Sequence, residues 1–260
     1  MKYKILFVDI DWTILDHKLH DWDYETLDVL KALQKRGLLI YLNTARPYDS
    51  IVHTGLFELF KPDGIVCTNV GVVFVCEKLI FSNIIPEDIV HQIEKICNRH
   101  HLVLELSTNT ERYFTSKVNC YVDKYFAVFA ETIPEVRKYH NKDVSAILLF
   151  APEKYDEILK KEFPKEMVYL RYDTHGVDVG YYQNNKGNGV KEVLKYLGIE
   201  KQYAISAGDD NSDIAMFKEV GLSIALGNAK DEAKEAADIV AKDISEHGLG
   251  LVLQDIFQTK

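Results

Sequence analysis

Apolar and polar positions follow two rhythms along this chain. Short apolar runs stop abruptly in polar residues: Ile5–Val8 before Asp9, Leu38–Leu42 before Asn43 and Thr44, Ile65–Cys67 before Thr68 and Asn69, and Tyr203–Ser206 before Gly208 and Asp209. Runs of this length, rich in Ile, Val, Leu and Tyr, suit strands covered on both faces. Between them the spacing turns helical. Leu27, Leu30 and Leu33 recur on one face with Gly37 placed to end the helix, and Val190, Val193, Leu194 and Leu197 do the same before Gly198. Strand–helix–strand alternation predicts an α/β fold with right-handed crossovers and a parallel sheet, helices on both faces. In such a sheet ligands bind beyond the carboxyl ends of the strands, so Asp9, Thr44 and Asp209 are expected to converge.

The middle of the chain has a different pattern. Ile89, Ile93 and Ile96 mark a helix that Pro86 suits at its start. Strand-like segments follow: LVLEL, VSAILLF, and the pair MVYLRY and VDVGYY, joined by DTHG as a hairpin connection. Hairpins and helices set between two halves of an alternating pattern predict an inserted α+β domain over residues 84–182, with a core built from 1–83 and 183–260.

Composition narrows the picture. The 260 residues can bury one large core or two smaller ones. A formal net charge of −9 argues against general nucleic-acid binding, which needs clustered Lys and Arg. No stretch reaches the roughly 18 apolar residues of a membrane span. The opening MKYKILFVDID meets acids too soon for a signal peptide. Cys67, Cys76, Cys97 and Cys120 lack zinc spacing and suit free thiols in a reducing compartment, so a cytoplasmic location is expected. Oligomeric state is not legible.

The chemistry lies in the acids. If Asp9, Asp11, Asp209 and Asp213 meet at strand ends, their mutual repulsion raises their pKa values or demands a cation. A hard divalent ion with oxygen ligands, magnesium beside a phosphate substrate, is the natural solution. Lys186, in NNKGNG at the start of the Val190–Leu197 helix, can add positive charge.

The order of these motifs resembles the haloacid dehalogenase phosphohydrolase superfamily, in its Cof-like, type IIB branch. DIDWT at 9–13, NTAR at 43–46, Lys186, and GDDNSD at 208–213 followed by ALGNA at 225–229 match that family's four motifs in order, and the middle insertion has the size of its cap. The resemblance implies a Rossmann-like core with an α+β cap and a magnesium-dependent phosphatase acting on small phosphorylated metabolites, sugar phosphates or phosphorylated cofactors. It further implies Asp9 as the nucleophile forming an aspartyl-phosphate and Asp11 as general acid, then base. Magnesium would be held by the Asp9 side chain, the Asp11 backbone carbonyl and Asp209, with Asp213 as a further ligand or its orienter. Thr44 and the Ala45 amide would hold phosphate oxygens and Lys186 would offset charge in the transition state. Arg46 suits either ordering the carboxylates or an ordinary surface pair.

The chain departs from the family pattern in places. Trp12 stands where Gly is usual after the second aspartate, and Ala45 and Val70 also replace glycines, which matters if a position needs positive φ. Ser212 replaces a usual Asn that helps with phosphate, a task Asn211 could take over. The segments RYFTSKVNCYVDKYF and RYDTHGVDVGYY are expected to select the leaving group. Two other functions compete: a phosphotransferase resembling phosphomannomutase, and a non-catalytic binding or sensing module on the same scaffold. A signalling receiver domain is disfavoured by length, and a dinucleotide enzyme by the lack of GxGxxG after the first strand.

Overall fold

A computed structural model describes residues 2–128, 132–140, 143–171, 174–181 and 184–258. The chain divides into two compact units. The first comprises residues 1–45, 56–81 and 185–260, and the second 46–55 and 82–184.

The first unit is built on an eight-stranded sheet. Its strands run in the order Ile239–Val240, Leu222–Ala225, Ala204–Gly208, Ile5–Val8, Leu39–Asn43, Gly64–Cys67, Val72–Val75 and Lys78–Ser82. The ladders from Ile239–Val240 through Gly64–Cys67 are parallel, and Val72–Val75 returns antiparallel. Every residue of Ile5–Val8 is buried, as a strand covered on both faces requires. Alternation then sorts the side chains. Ile5, Phe7, Tyr41 and Val66 pack in one cluster with Val190, Val193 and Leu194 of the helix Lys186–Leu197 and with Met216 and Phe217. The helix Tyr24–Lys35 starts at Asp23, whose side chain accepts from Thr26 N–H, and runs beside the helix Gly248–Phe257. Gly37 (φ 93°) and Gly198 (φ 65°) close their helices in backbone conformations that cost glycine little.

The second unit carries a five-stranded antiparallel sheet in the order Met167–Arg171, Gly176–Tyr181, Ala146–Phe150, Val103–Ser107 and Arg112–Phe114. One face packs on the helices Glu87–Arg99 and Asp156–Glu162 through Val90, Ile93, Ile96 and Leu159. The other face joins Val103, Phe114 and Phe150 to Val122 and Phe126 of the helix Cys120–Val128. The expected MVYLRY–VDVGYY hairpin pairs antiparallel, although Tyr172 and Asp173 of its connection, like Tyr182 and Gln183 at the expected second boundary, lie outside the described residues. Where the chain enters and leaves this unit, Asn83 Nδ2 donates to Asn184 Oδ1 at 2.6 Å. The segment Arg46–Gly55 is grouped here although it sits far earlier in sequence; Asp49 Oδ2 accepts from Arg112 Nε at 3.0 Å. All four cysteines are free thiols.

Candidate active site

Three adjacent strands of the first unit deliver the acids and the threonine to one edge. Ile5–Val8 lies between Ala204–Gly208 and Leu39–Asn43, and Val8 stands level with both Ala207 and Leu42. Asp9 prolongs the ladder, its N–H donating to Ala207 O at 3.0 Å, and is only 5% exposed. Asp209 follows directly from the neighbouring strand. Thr44 follows on the other side, buried, with its N–H donating to Val66 O at 2.9 Å and its carbonyl accepting from Asn69 N–H at 3.2 Å.

Lys186 arrives from a helix start. Asn185 caps that helix by accepting from Asn188 N–H at 2.9 Å, leaving Lys186 as its first residue and 2% exposed. The Lys186 ammonium lies 2.6 Å from Asp213 Oδ1 and 2.8 Å from Asp9 Oδ1. Asn43 Nδ2 donates to Lys186 O at 3.0 Å, pinning the helix start to the strand that carries Thr44.

Asp213 organises the acidic turn. Its Oδ2 accepts the backbone N–H groups of Asp209 and Asp210, each at 2.9 Å, while its Oδ1 takes Lys186. The close approach explains Gly208: a Cβ there would lie 2.4 Å from Asp213 Cγ. Thr13 Oγ1 donates to Asp209 Oδ1 at 3.3 Å, so the DIDWT segment also orients this acid.

The carboxylates of Asp9, Asp209 and Asp213 each offer an oxygen, all within 4.8 Å of one another. Burial raises the Asp9 carboxyl; Lys186 opposes the rise, and Asp213 and Asp11 add to it. Burial also raises Asp209, reinforced by the charges of Asp9 and Asp213. Burial disfavours the Lys186 ammonium, but Asp213 and Asp9 outweigh this and hold it charged well above its usual range. One ammonium against three carboxylates leaves the trio short of positive charge. A cluster of hard oxygen donors in that condition fits a small divalent cation such as magnesium.

Ala45 is exposed just past Thr44, and Asn211 and Ser212 are exposed on the acidic turn, where Ser212 N–H donates to Asp210 Oδ2 at 3.2 Å. Arg46 belongs to the second unit and donates to Ser50 Oγ at 3.0 Å. The Asp11 carboxylate stands outside the trio; its Oδ1 is 2.5 Å from His17 Nε2. Left-handed backbone falls on Trp12 (φ 57°) and not on Ala45. Asn228 holds it there, donating from Nδ2 to Trp12 O at 2.8 Å while its Oδ1 accepts from Ile244 N–H at 2.9 Å. Asn43, His17 and Asn228 were not singled out from sequence. Asn43 and Asn228 sit within the quoted NTAR and ALGNA motifs, whereas His17 belongs to no motif.

A mostly parallel α/β sheet whose strand ends gather buried acids around one lysine, in a chain that also carries an α+β unit, is the arrangement of an acid-based active site. The haloacid dehalogenase-like hydrolases match residues 6–253, and the chain belongs to that family, as a Cof-like, type IIB phosphohydrolase. Phosphoglycolate phosphatase 1 of Saccharolobus solfataricus is 25% identical across 95% of this chain and 92% of its own. The 5-amino-6-(5-phospho-D-ribitylamino)uracil phosphatase YitU of Bacillus subtilis is 23% identical across 97% of each chain. The solved subclass IIB sugar phosphatase BT4131 is 25% identical, with a TM-score of 0.84 over 99% of this chain and 100% of that one.

Proposed function

We propose that this protein is a magnesium-dependent phosphatase that hydrolyses phosphate monoesters of small metabolites, sugar phosphates or phosphorylated cofactors, through an aspartyl-phosphate on Asp9. The observation that carries the reading is the Lys186 ammonium held between Asp9 and Asp213, beside Asp209. Such an arrangement gives a carboxylate nucleophile in a buried site already furnished with positive charge. The metabolite phosphatases among its relatives support the substrate class.

In this reading an Asp9 oxygen attacks phosphorus and the bond to the leaving oxygen breaks, with Asp11 giving that oxygen its proton. Asp11 then takes a proton from water, whose oxygen attacks the same phosphorus. The Asp9–phosphorus bond breaks, releasing phosphate and restoring both carboxyl groups. Thr44 and the Ala45 amide hold phosphate oxygens, with Asn211 and Ser212 at the rim, and Lys186 offsets the charge that develops. A magnesium ion held by the Asp9 and Asp209 side chains and the Asp11 carbonyl supplies further charge compensation when bound. Asp213, with both oxygens engaged by protein donors, orients this shell. The α+β unit serves as the cap, with the core on either side of it in sequence, and the protein works in the cytoplasm; among the described residues no helix is long and apolar enough to cross a membrane.

The test is hydrolysis of a chromogenic aryl phosphate by purified protein. Turnover should require magnesium and vanish in Asp9→Asn. Robust turnover by that variant, or turnover in chelator by the native protein, refutes the mechanism. A panel of phosphorylated metabolites then identifies the substrate.

A further inference from the structure

Trp12 and His17 form a pair that the hydrolase motifs leave unexplained. The chain turns tightly after the first strand: Ile14 and Leu15 N–H both donate to Ile10 O at 2.9 Å, and Trp12 N–H donates to Leu15 O at 2.9 Å. Trp12 sits at φ 57° inside that turn, a conformation disfavoured for a residue with a large side chain. The Asn228 bridge from Trp12 O to Ile244 N–H keeps it there. The reason for tolerating a tryptophan is visible beyond the turn. Its ring lies against the His17 imidazole with centroids 5.1 Å apart. His17 is 9% exposed, and its Nε2 meets Asp11 Oδ1 at 2.5 Å. With the transferable proton of Asp11 on its other oxygen, Oδ1 accepts, and the proton of this contact is on His17 Nε2.

We infer that His17 is a positioning residue for Asp11: backed by the Trp12 ring, its Nε2–H grips one carboxylate oxygen and fixes the aim of the group that protonates the leaving alcohol. The inference rests on the phosphatase reading above and adds a residue to it. Proton transfer in the transition state depends steeply on the placement of the acid, and small displacements of a reacting group cost large factors in rate. His17 itself touches no reacting atom. Its effect is felt only where the leaving group needs the proton.

That dependence supplies the test. An alkyl monoester such as glycerol phosphate expels a strongly basic alkoxide and needs protonation, whereas p-nitrophenyl phosphate expels a weakly basic phenolate and does not. The comparison uses kcat/KM, which reports the step that breaks the ester bond. His17→Phe keeps a ring for Trp12 and removes the N–H; His17→Gln keeps an N–H donor. His17→Phe should lose about tenfold or more in kcat/KM on glycerol phosphate and less than about threefold on p-nitrophenyl phosphate. His17→Gln should recover most of the alkyl activity. Should His17→Phe yield no folded protein, His17→Leu carries the same comparison. Equal losses on both esters, or no loss on the alkyl ester, overturn the assignment of His17 alone. Native protein with no magnesium-dependent turnover on either ester overturns the phosphatase reading and this inference with it.

Discussion

Replacing Lys186 by Met removes the cation while keeping a flexible apolar side chain of similar length. Lys186 and Asp213 are almost wholly enclosed, with side chains 2% and 0% exposed, and Asp9 is little more open at 7%. Removing one partner of a buried ion pair costs about 3–5 kcal/mol, chiefly because the other charge is left buried and unbalanced. Here one ammonium serves two carboxylates, and a third, Asp209, already sits close by. The upper half of that range is therefore expected for Lys186→Met in chelator. Magnesium should repay part of the loss, since a cation that binds only the folded state stabilises by about 2.7 kcal/mol at one hundred times its Kd. Removing the competing ammonium makes the site more negative and favours that binding further. Urea unfolding followed by tryptophan emission measures the difference where it matters, because the two tryptophans, Trp12 and Trp22, both belong to the first unit. A loss below about 1 kcal/mol in chelator, or a gap between the two proteins that magnesium leaves unchanged, would refute the electrostatic account of the site.

Two further substitutions probe separate parts of the chain. Gly208→Ala would put a Cβ 2.4 Å from Asp213 Cγ, so the acidic turn must shift; stability should fall by about 1–3 kcal/mol and kcat/KM on an aryl phosphate by about tenfold or more, both measurable on one preparation. In the second unit, burial raises the Asp178 carboxyl from 3.8 to about 7. The folded state therefore holds a proton that the unfolded state has released between those values, and stability falls as pH rises through that window. Asp178→Asn does not titrate there. Its advantage should be nil below about pH 4 and grow through that window to at most about 4 kcal/mol above about pH 7, read by urea unfolding with near-ultraviolet circular dichroism. A constant difference across that range would exclude the titration of Asp178 as its cause.

The strands and main helices were legible because their signals are local. The first strand occupies Ile5–Val8 with the expected limits, and the helix expected from Val190 to Leu197 ends at Leu197 before left-handed Gly198. The MVYLRY–VDVGYY pairing was legible for the same reason. The placement of Arg46–Gly55 was not. Nothing in its composition marks a change of unit, and its grouping with the second rests on tertiary contacts such as Arg112 with Asp49. Of the three residues that stand where glycine is usual, Trp12 adopts positive φ and Ala45 and Val70 do not. What no local pattern reports is the partner that meets this turn, Asn228, more than two hundred residues away.

The meeting of Asp9 with Asp209 could be anticipated for a physical reason that also sets its limit. Residues that end neighbouring parallel strands must emerge together, and the register of Val8 with Ala207 makes this so. That argument places backbones and leaves open how each carboxylate spends its two oxygens. Asp213, read from sequence as a ligand or an orienter, gives Oδ2 to two backbone N–H groups and Oδ1 to Lys186. Asp11 turns an oxygen to His17. Four aspartates of the same chemistry thus differ in what their oxygens meet. The difference follows from which N–H groups each loop presents, because a carboxylate that accepts several donors has fewer lone pairs left for a cation. In this crowded cluster the hydrogen-bond donors around each acid, more than its distance from its neighbours, distinguish one aspartate from another.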